Sequence, residues 1–266
     1  MAEWRQGAVP ARSRPAPPAG PPYGLLRHGL RAGVAEWVLT RVPTPRRNPF
    51  ALGYLAAVGA TTTFARLADP ELVLRLQEAS SSDGHNLLHH PVRALLFSGF
   101  WVAGPIWMPY LWAFAFTVAP LERRVGAARA AAVFAIGHIT ATVLSQAVVI
   151  TAVATGRMES EAMNYLDIGV SYGVLASLGA LAGLLPPRGR LLALGGVGAM
   201  IADQILTDRD LVTGIGHPVA VLAGVVLWRW LRRDGGGRLR PRRLRTPAAS
   251  AASASGPGGA AVLDRG

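Results

Sequence analysis

Six stretches of the chain are almost continuously apolar, at about residues 49–65, 95–121, 130–154, 170–187, 191–207 and 214–231. A helix needs roughly 17–25 apolar residues to cross about 30 Å of hydrocarbon. The runs do not alternate apolar and polar positions, as barrel strands would. A helix also satisfies its own backbone polar groups, which lipid will not do. The pattern therefore predicts an all-α polytopic membrane protein with six transmembrane helices. The fourth and fifth runs are short and rich in Gly, so their boundaries are the softest.

Composition sharpens this picture. Of 266 residues, 51% are hydrophobic and only 16% are charged, against roughly a quarter charged in soluble domains. Mean hydropathy is +0.31 even with polar tails at both ends. No cysteine is present, which excludes a disulfide framework, a thiolate metal site and a cysteine nucleophile. The net charge of +12 comes entirely from arginine, and 22 of the 27 arginines fall in the tails and in the turns after the second and fourth runs. The positive-inside rule then places both termini in the cytoplasm of a cell-membrane protein and the loops at about 66–94, 155–169 and 208–213 outside. No cleavable signal is evident at the N-terminus.

The regions outside the runs read differently. Residues 1–23 are rich in Pro and Ala, and the end of the chain, within 232–266, is basic and then of low complexity. Both tails are expected to be disordered. Residues 24–48 carry an amphipathic segment, with Leu26, Leu30, Val34, Trp37 and Val38 on one helical face. It is read either as an interfacial helix or as a helix packed on the cytoplasmic face of the bundle. The arginine cluster at 229–245 is explained by contact with anionic lipid, so no nucleic acid partner is expected. The membrane domain itself is bounded at 49–231.

Polar residues inside membrane spans are costly and need a reason. Glu122, His138, Ser171, Asp203 and His217 make up that set. Ser171 opens the fourth run and His217 the sixth, and both runs enter the membrane from outside. The two side chains therefore lie at similar depth, and a serine hydrogen-bonded to a histidine is the minimum for nucleophilic catalysis. The plain alternative is packing: Gly169, Gly173 and Ser177 form a small-residue stripe suited to helix contact.

Three short motifs carry a resemblance. Leu121-Glu122-Arg123-Arg124-Val125-Gly126 follows the second run, Gly169-Val170-Ser171-Tyr172 opens the fourth, and His217 stands seven residues before Gly224 at the start of the sixth. In this order and at these boundaries, the set resembles the rhomboid family of intramembrane serine proteases across about residues 49–231. The resemblance implies a six-helix rhomboid-like bundle with Ser171 as nucleophile, its N–H in the oxyanion hole, and His217 as general base. It further implies that Gly224 lets the sixth helix approach the fourth at Gly173 and Gly179. Glu122 would anchor the inner turn, pairing with Arg123, Arg124 or Arg129, and 66–94 would be the family's membrane-embedded loop. No cofactor is implied. The partner would be a membrane-protein substrate or client helix.

Two departures from the family pattern stand out. Tyr172 replaces the glycine that follows the nucleophile. The second-span HxxxN, whose side chains help hold the oxyanion, is missing: its positions fall near Ile106 and Tyr110, and residues 94–119 contain neither His nor Asn. Removing one oxyanion donor typically costs about 10²–10³ in rate. Tyr110 and His138 are the candidate replacements, and Tyr172 is a further site-lining candidate. A serine endopeptidase and a catalytically inactive relative that binds client helices are therefore both expected readings. Other constellations are weaker. His85, His89 and His90 lack the glutamate of a zinc-protease motif and read as a polar loop. Asp203 is placed either behind His217 or at the water boundary, and the second is preferred. A proton or solute path through His138, Asp203 and His217 lacks the internal repeat usual in transporters.

Overall fold

A computed structural model describes residues 43–102, 108–207 and 210–235. The predicted N-terminal tail, most of the segment 24–48, Ile106 and the tail beyond 235 lie outside the described residues. Every regular element within them is helical. In chain order these are α1 (Pro49–Leu67), α2 (Pro70–Ser80), α3 (Gly84–His89), α4 (Pro91–Phe97) and a 3₁₀ turn at Ser98–Phe100. Then follow α5 (Met108–Ala113), a π turn at Phe114–Val118, α6 (Ala119–Val125) and α7 (Ala127–Ala154). After a second 3₁₀ turn at Ser160–Asn164 come α8 (Ser171–Gly183), α9 (Pro187–Thr207), α10 (Leu211–Val226) and α11 (Trp228–Gly235).

Local chemistry sets many of these boundaries. Helices α1, α2, α4 and α9 each begin on proline, whose fixed φ and missing N–H suit the first helical position. Asp69, Asp83 and Asp210 cap α2, α3 and α10 by accepting backbone N–H groups of the first turn, as N-cap carboxylates do.

Among the described residues, α7, α9 and the stretch Leu211–Arg232 are long and apolar enough to cross a membrane. Leu144 and Val148 on α7, Leu191 and Leu192 on α9, and Leu222 and Val226 on α10 are exposed. A water-soluble protein rarely leaves so much contiguous apolar surface uncovered. The described residues are all-helical, and their apolar helices mark a membrane protein.

Two predicted spans are corrected. The apolar run 95–121 is not one helix. α4 ends at Phe97, and the carbonyls of Gly99 and Phe100 accept hydrogen bonds from Tyr54 Oη (2.7 Å) and Thr61 Oγ1 (2.6 Å) on α1. Trp101 Nε1 donates to Ser80 Oγ at 2.7 Å. These bonds hold a 3₁₀ turn and the extended backbone after it against the bundle, so the loop after α1 extends past residue 94 to at least Val102, and the next described helix begins at Met108. The fourth span is also shorter than predicted. α8 has 13 residues, about 20 Å of helix, and the following Pro186 and Pro187 prevent its continuation.

A helix this short survives because it is enclosed. All but two of its residues are buried, and it lies between α7 and α10 with almost no intervening side chain. A methyl group on Gly137 of α7 would meet Ala176 Cβ at 2.0 Å, and one on Gly224 of α10 would meet the Ala176 carbonyl oxygen at 2.0 Å. On the α8 side, Gly179 faces the Val221 carbonyl, whereas Gly173 faces the Phe134 ring on α7. The expectation that Gly173 contacts the last span is therefore corrected: Gly179 meets α10, and Gly173 meets α7.

Candidate active site

The N-terminal ends of α8 and α10 meet at a polar cavity of about 280 Å³, lined by Tyr110, His138, Ser171, Tyr172 and His217 together with Ser82, Asp167, Gln204, Asp210 and Thr213. Gly169 creates the approach to α8: its φ of +145° is one that a side chain would resist. Its N–H donates to the Ser98 carbonyl at 3.0 Å, tying the start of α8 to the loop after α1. Ser171 is the first residue of α8. The N–H groups of the opening turn have no acceptor within the helix, and the positive end of the helix dipole lies there.

His217 Nε2 lies 3.1 Å from Ser171 Oγ. On the other side of the ring, Nδ1 lies 2.8 Å from Gln204 Oε1 on α9. Tyr172 stands beside this pair, not between its members. Its ring meets the imidazole edge-to-face with centroids 5.6 Å apart, and its hydroxyl donates to the Val212 carbonyl at 3.3 Å. A methyl group on Gly216 would strike the Tyr172 ring at 2.3 Å, so glycine at 216 makes room for the ring that replaces glycine at 172.

His138 approaches the same cavity from α7. Its Nε2 lies 3.3 Å from Ser98 Oγ. The ring is 6% exposed, and its Nδ1 has no partner of good geometry, the Leu95 carbonyl offering only a loose one. A buried ring nitrogen left unpaired is costly. Tyr110, counted back from Glu122 as the second missing motif position, also lines the cavity.

Asp167 and Asp210 bring carboxylates to the outer rim. Burial pushes the Asp167 carboxyl up to about 6; hydrogen bonds from Gln146 and Ser82 oppose the rise, and the charges of Asp210 and Asp83 add to it. Gln146 Nε2 donates to Asp167 Oδ2 at 2.8 Å. Asp210 is occupied as a helix cap, accepting from Val212 and Thr213 N–H at 3.1 Å each.

At the far end of α8, Glu122 is 2% exposed, and its two carboxylate oxygens accept from the N–H groups of Phe50 (2.8 Å) and Ala51 (2.9 Å). These are the opening N–H groups of α1. Asn48, the residue at the cap position, turns its own amide elsewhere: Nδ2 donates to the Ala119 carbonyl at 2.8 Å, and Oδ1 accepts from Arg123 Nη1 at 3.1 Å. Glu122 thus has a backbone role that the spacing gave no hint of, and Arg123, one of its anticipated arginine partners, donates to Asn48. Gly126 closes the turn with φ +89°.

A family model described as Rhomboid-like protein matches residues 45–235. The chain belongs to the rhomboid-like family. That match spans all of the elements described above and both ends of α8. None of the curated proteins and none of the solved structures compared matches the chain. Within this rhomboid-like chain, the sequence-predicted residues Ser171, His217, Tyr110, His138 and Tyr172 line one cavity. Gly224 lies at the α8–α10 contact, and Glu122 lies at the opposite end. His85 and His89 stack on each other with centroids 4.3 Å apart, and no cluster of metal-binding side chains occurs among the described residues. Asp203 is exposed; the neighbouring Gln204, not singled out by sequence reasoning, reaches His217. Its only signal was its place three residues before the end of the fifth apolar run.

Proposed function

We propose that this rhomboid-like protein is an intramembrane serine endopeptidase acting through Ser171 and His217. The observation that carries the reading is the 3.1 Å contact between Ser171 Oγ and His217 Nε2 at the mouth of a polar cavity. This distance is within the reach a general base needs. Ser171 Oγ attacks the substrate carbonyl carbon while its proton passes to His217 Nε2. The resulting imidazolium then protonates the leaving amine as the C–N bond breaks. Water, deprotonated by the same imidazole, hydrolyses the acyl-serine and returns the proton to Oγ.

The oxyanion is the harder part, because the second-span His and Asn are missing. The backbone N–H groups opening α8 supply one set of donors, reinforced by the helix dipole. His138 supplies another. With Ser98 Oγ–H donating to Nε2, the neutral ring carries its hydrogen on Nδ1, the atom without a good partner. The natural substrate is another membrane protein whose transmembrane helix unwinds locally at small residues, exposing a backbone carbonyl to the cavity. The protein is placed in the cell membrane with six spans and cytoplasmic termini, as the arginine distribution supports.

One observation favours a second reading, a non-catalytic relative that binds client transmembrane helices: residues 94–119 carry neither of the expected oxyanion side chains. Purified protein in liposomes, mixed with peptides bearing a Gly/Ala-rich transmembrane segment, separates the two. Cleavage by the wild type and none by Ser171→Ala supports the protease. Peptide binding without cleavage, equal in both proteins, supports the binder.

A further inference from the structure

A neutral imidazole has one N–H and one lone pair, and the partner on one side of the ring decides which nitrogen carries the hydrogen. For His217 to take a proton from Ser171, the lone pair must be on Nε2 and the hydrogen on Nδ1. Gln204 Oε1 lies 2.8 Å from Nδ1, and an amide oxygen only accepts.

We infer that Gln204 is a positioning residue for His217. Its side-chain oxygen holds the hydrogen on Nδ1 and the lone pair on Nε2, facing Ser171. The inference rests on the Ser171–His217 reading of the site and adds a third member from α9.

The surroundings of His217 leave this role to Gln204. Asp210, at the start of α10, has both carboxylate oxygens engaged by the Val212 and Thr213 N–H groups. Asp203 is exposed. Tyr172 presents its ring to the imidazole and its hydroxyl to the Val212 carbonyl. His138 lies beyond Tyr172, with those two ring centroids 6.3 Å apart. Gln204 projects from a helix whose only buried side chains are Val197 and Ile201, so the amide–imidazole bond also fixes the last turn of α9 against α10. The residue is uncharged. It sets the tautomer and offers the imidazolium an amide dipole in place of a full negative charge, so its removal costs less than loss of a triad carboxylate.

The test reads tautomer and reactivity separately. Full-length protein labelled with ¹⁵N-histidine in detergent micelles gives the two ring-nitrogen shifts of His217, assigned by their loss in His217→Ala. The expected wild-type state is Nδ1–H with an unprotonated Nε2, and Gln204→Leu mixes or reverses the two. Reaction of Ser171 with a fluorophosphonate falls roughly 10–100-fold in Gln204→Leu, the range seen when a metal-bound imidazole loses its orienting partner. The half-saturating probe concentration stays the same. Gln204→Glu restores most of the rate, because a carboxylate also accepts from Nδ1–H. Hydrogen on Nε2 in the folded wild type overturns the inference, as that would mean the amide is turned with its NH₂ toward the ring. A wild-type labelling rate in Gln204→Leu overturns it as well. A tautomer that depends on Gln204 alongside a Ser171 that never labels sustains the positioning role while removing the protease reading.

Discussion

The two ends of α8 are finished in opposite ways. At its C-terminal end the backbone carbonyls are covered. Trp228 Nε1 donates to Gly179 (2.6 Å), Arg232 Nη2 to Gly183 (2.7 Å) and Arg190 Nε to Ala182 (3.3 Å). Both guanidinium groups also lie over the Trp228 ring, at 5.0 and 5.3 Å from its centroid. Close by, Leu121 and Leu231 pack with Ala180 and Leu181. Cations suit the negative end of a helix, and this end is closed by them. At the N-terminal end, by contrast, a cavity stands over the first turn, and His138, which lines it, has a buried Nδ1 without a good partner. One end expends its polar groups on stability; the other leaves them open to a reactant. Unsatisfied buried groups in native proteins call for an explanation, and one of them belongs to a residue that lines this cavity.

If that contrast is right, substitutions at the two ends fail in different ways. The largest effect expected is on rate. His138→Phe removes the unpaired donor and lowers Ser171-dependent turnover about 10²–10³-fold, with KM nearly unchanged and a stability loss of about 1–3 kcal/mol from the stranded Ser98 hydroxyl. Turnover within threefold of wild type would take His138 out of the oxyanion site. At the closed end the loss is in stability. Glu122→Ala strands the Phe50 and Ala51 N–H groups at about 1–3 kcal/mol per buried group, to be read from unfolding in mixed SDS micelles. The fraction still folded reacts at the wild-type rate. A rate loss without a stability loss would contradict the assignment of Glu122 to the scaffold.

Gly224→Ala tests the seam joining the two ends. Its methyl would press on the Ala176 carbonyl, and overpacking of this kind costs about 1–3 kcal/mol. Because His217 shares α10 with Gly224, rate falls along with stability.

The smallest effect is the pH dependence at the rim. The Asp167 carboxyl is raised from 3.8 to about 6 by burial, so the fold favours its protonated form. Its contribution to stability is complete below about pH 4 and is lost as pH rises through 6. Unfolding of Asp167→Asn compared with wild type across pH 3–8 should show this difference. Parallel curves would contradict it.

How much of this was legible in the sequence depends on how local each signal was. Apolar runs located the long helices, because hydropathy acts within a few residues. Ser171, His217 and Gly224 could be read because a motif fixes each at the start or along one face of a helix. The run at 95–121 misled because apolar composition does not reveal that Tyr54 and Thr61, some forty residues earlier, take the carbonyls of Gly99 and Phe100. Glu122 was expected to be an anchor, and its neighbours in sequence suggested arginine. Its carboxylate accepts from the first turn of a helix some seventy residues away. Gln204 was invisible for the same reason. A glutamine near the end of an apolar run has no chemistry of its own, and only the crossing of α9 and α10 brings it to His217. Tyr172 stood out as a departure from the family glycine, and the space for it comes from Gly216.

The central claim is that His217 activates Ser171, and covalent labelling tests it most directly. Membranes carrying wild type, Ser171→Ala or His217→Ala would be treated with a fluorophosphonate probe, alongside an active rhomboid protease, and the adduct located by mass spectrometry. The account predicts a single adduct on Ser171 in the wild type, none in Ser171→Ala, and a rate reduced to background in His217→Ala. A folded wild type that stays unlabelled while the control reacts, or equal labelling with and without His217, would contradict it.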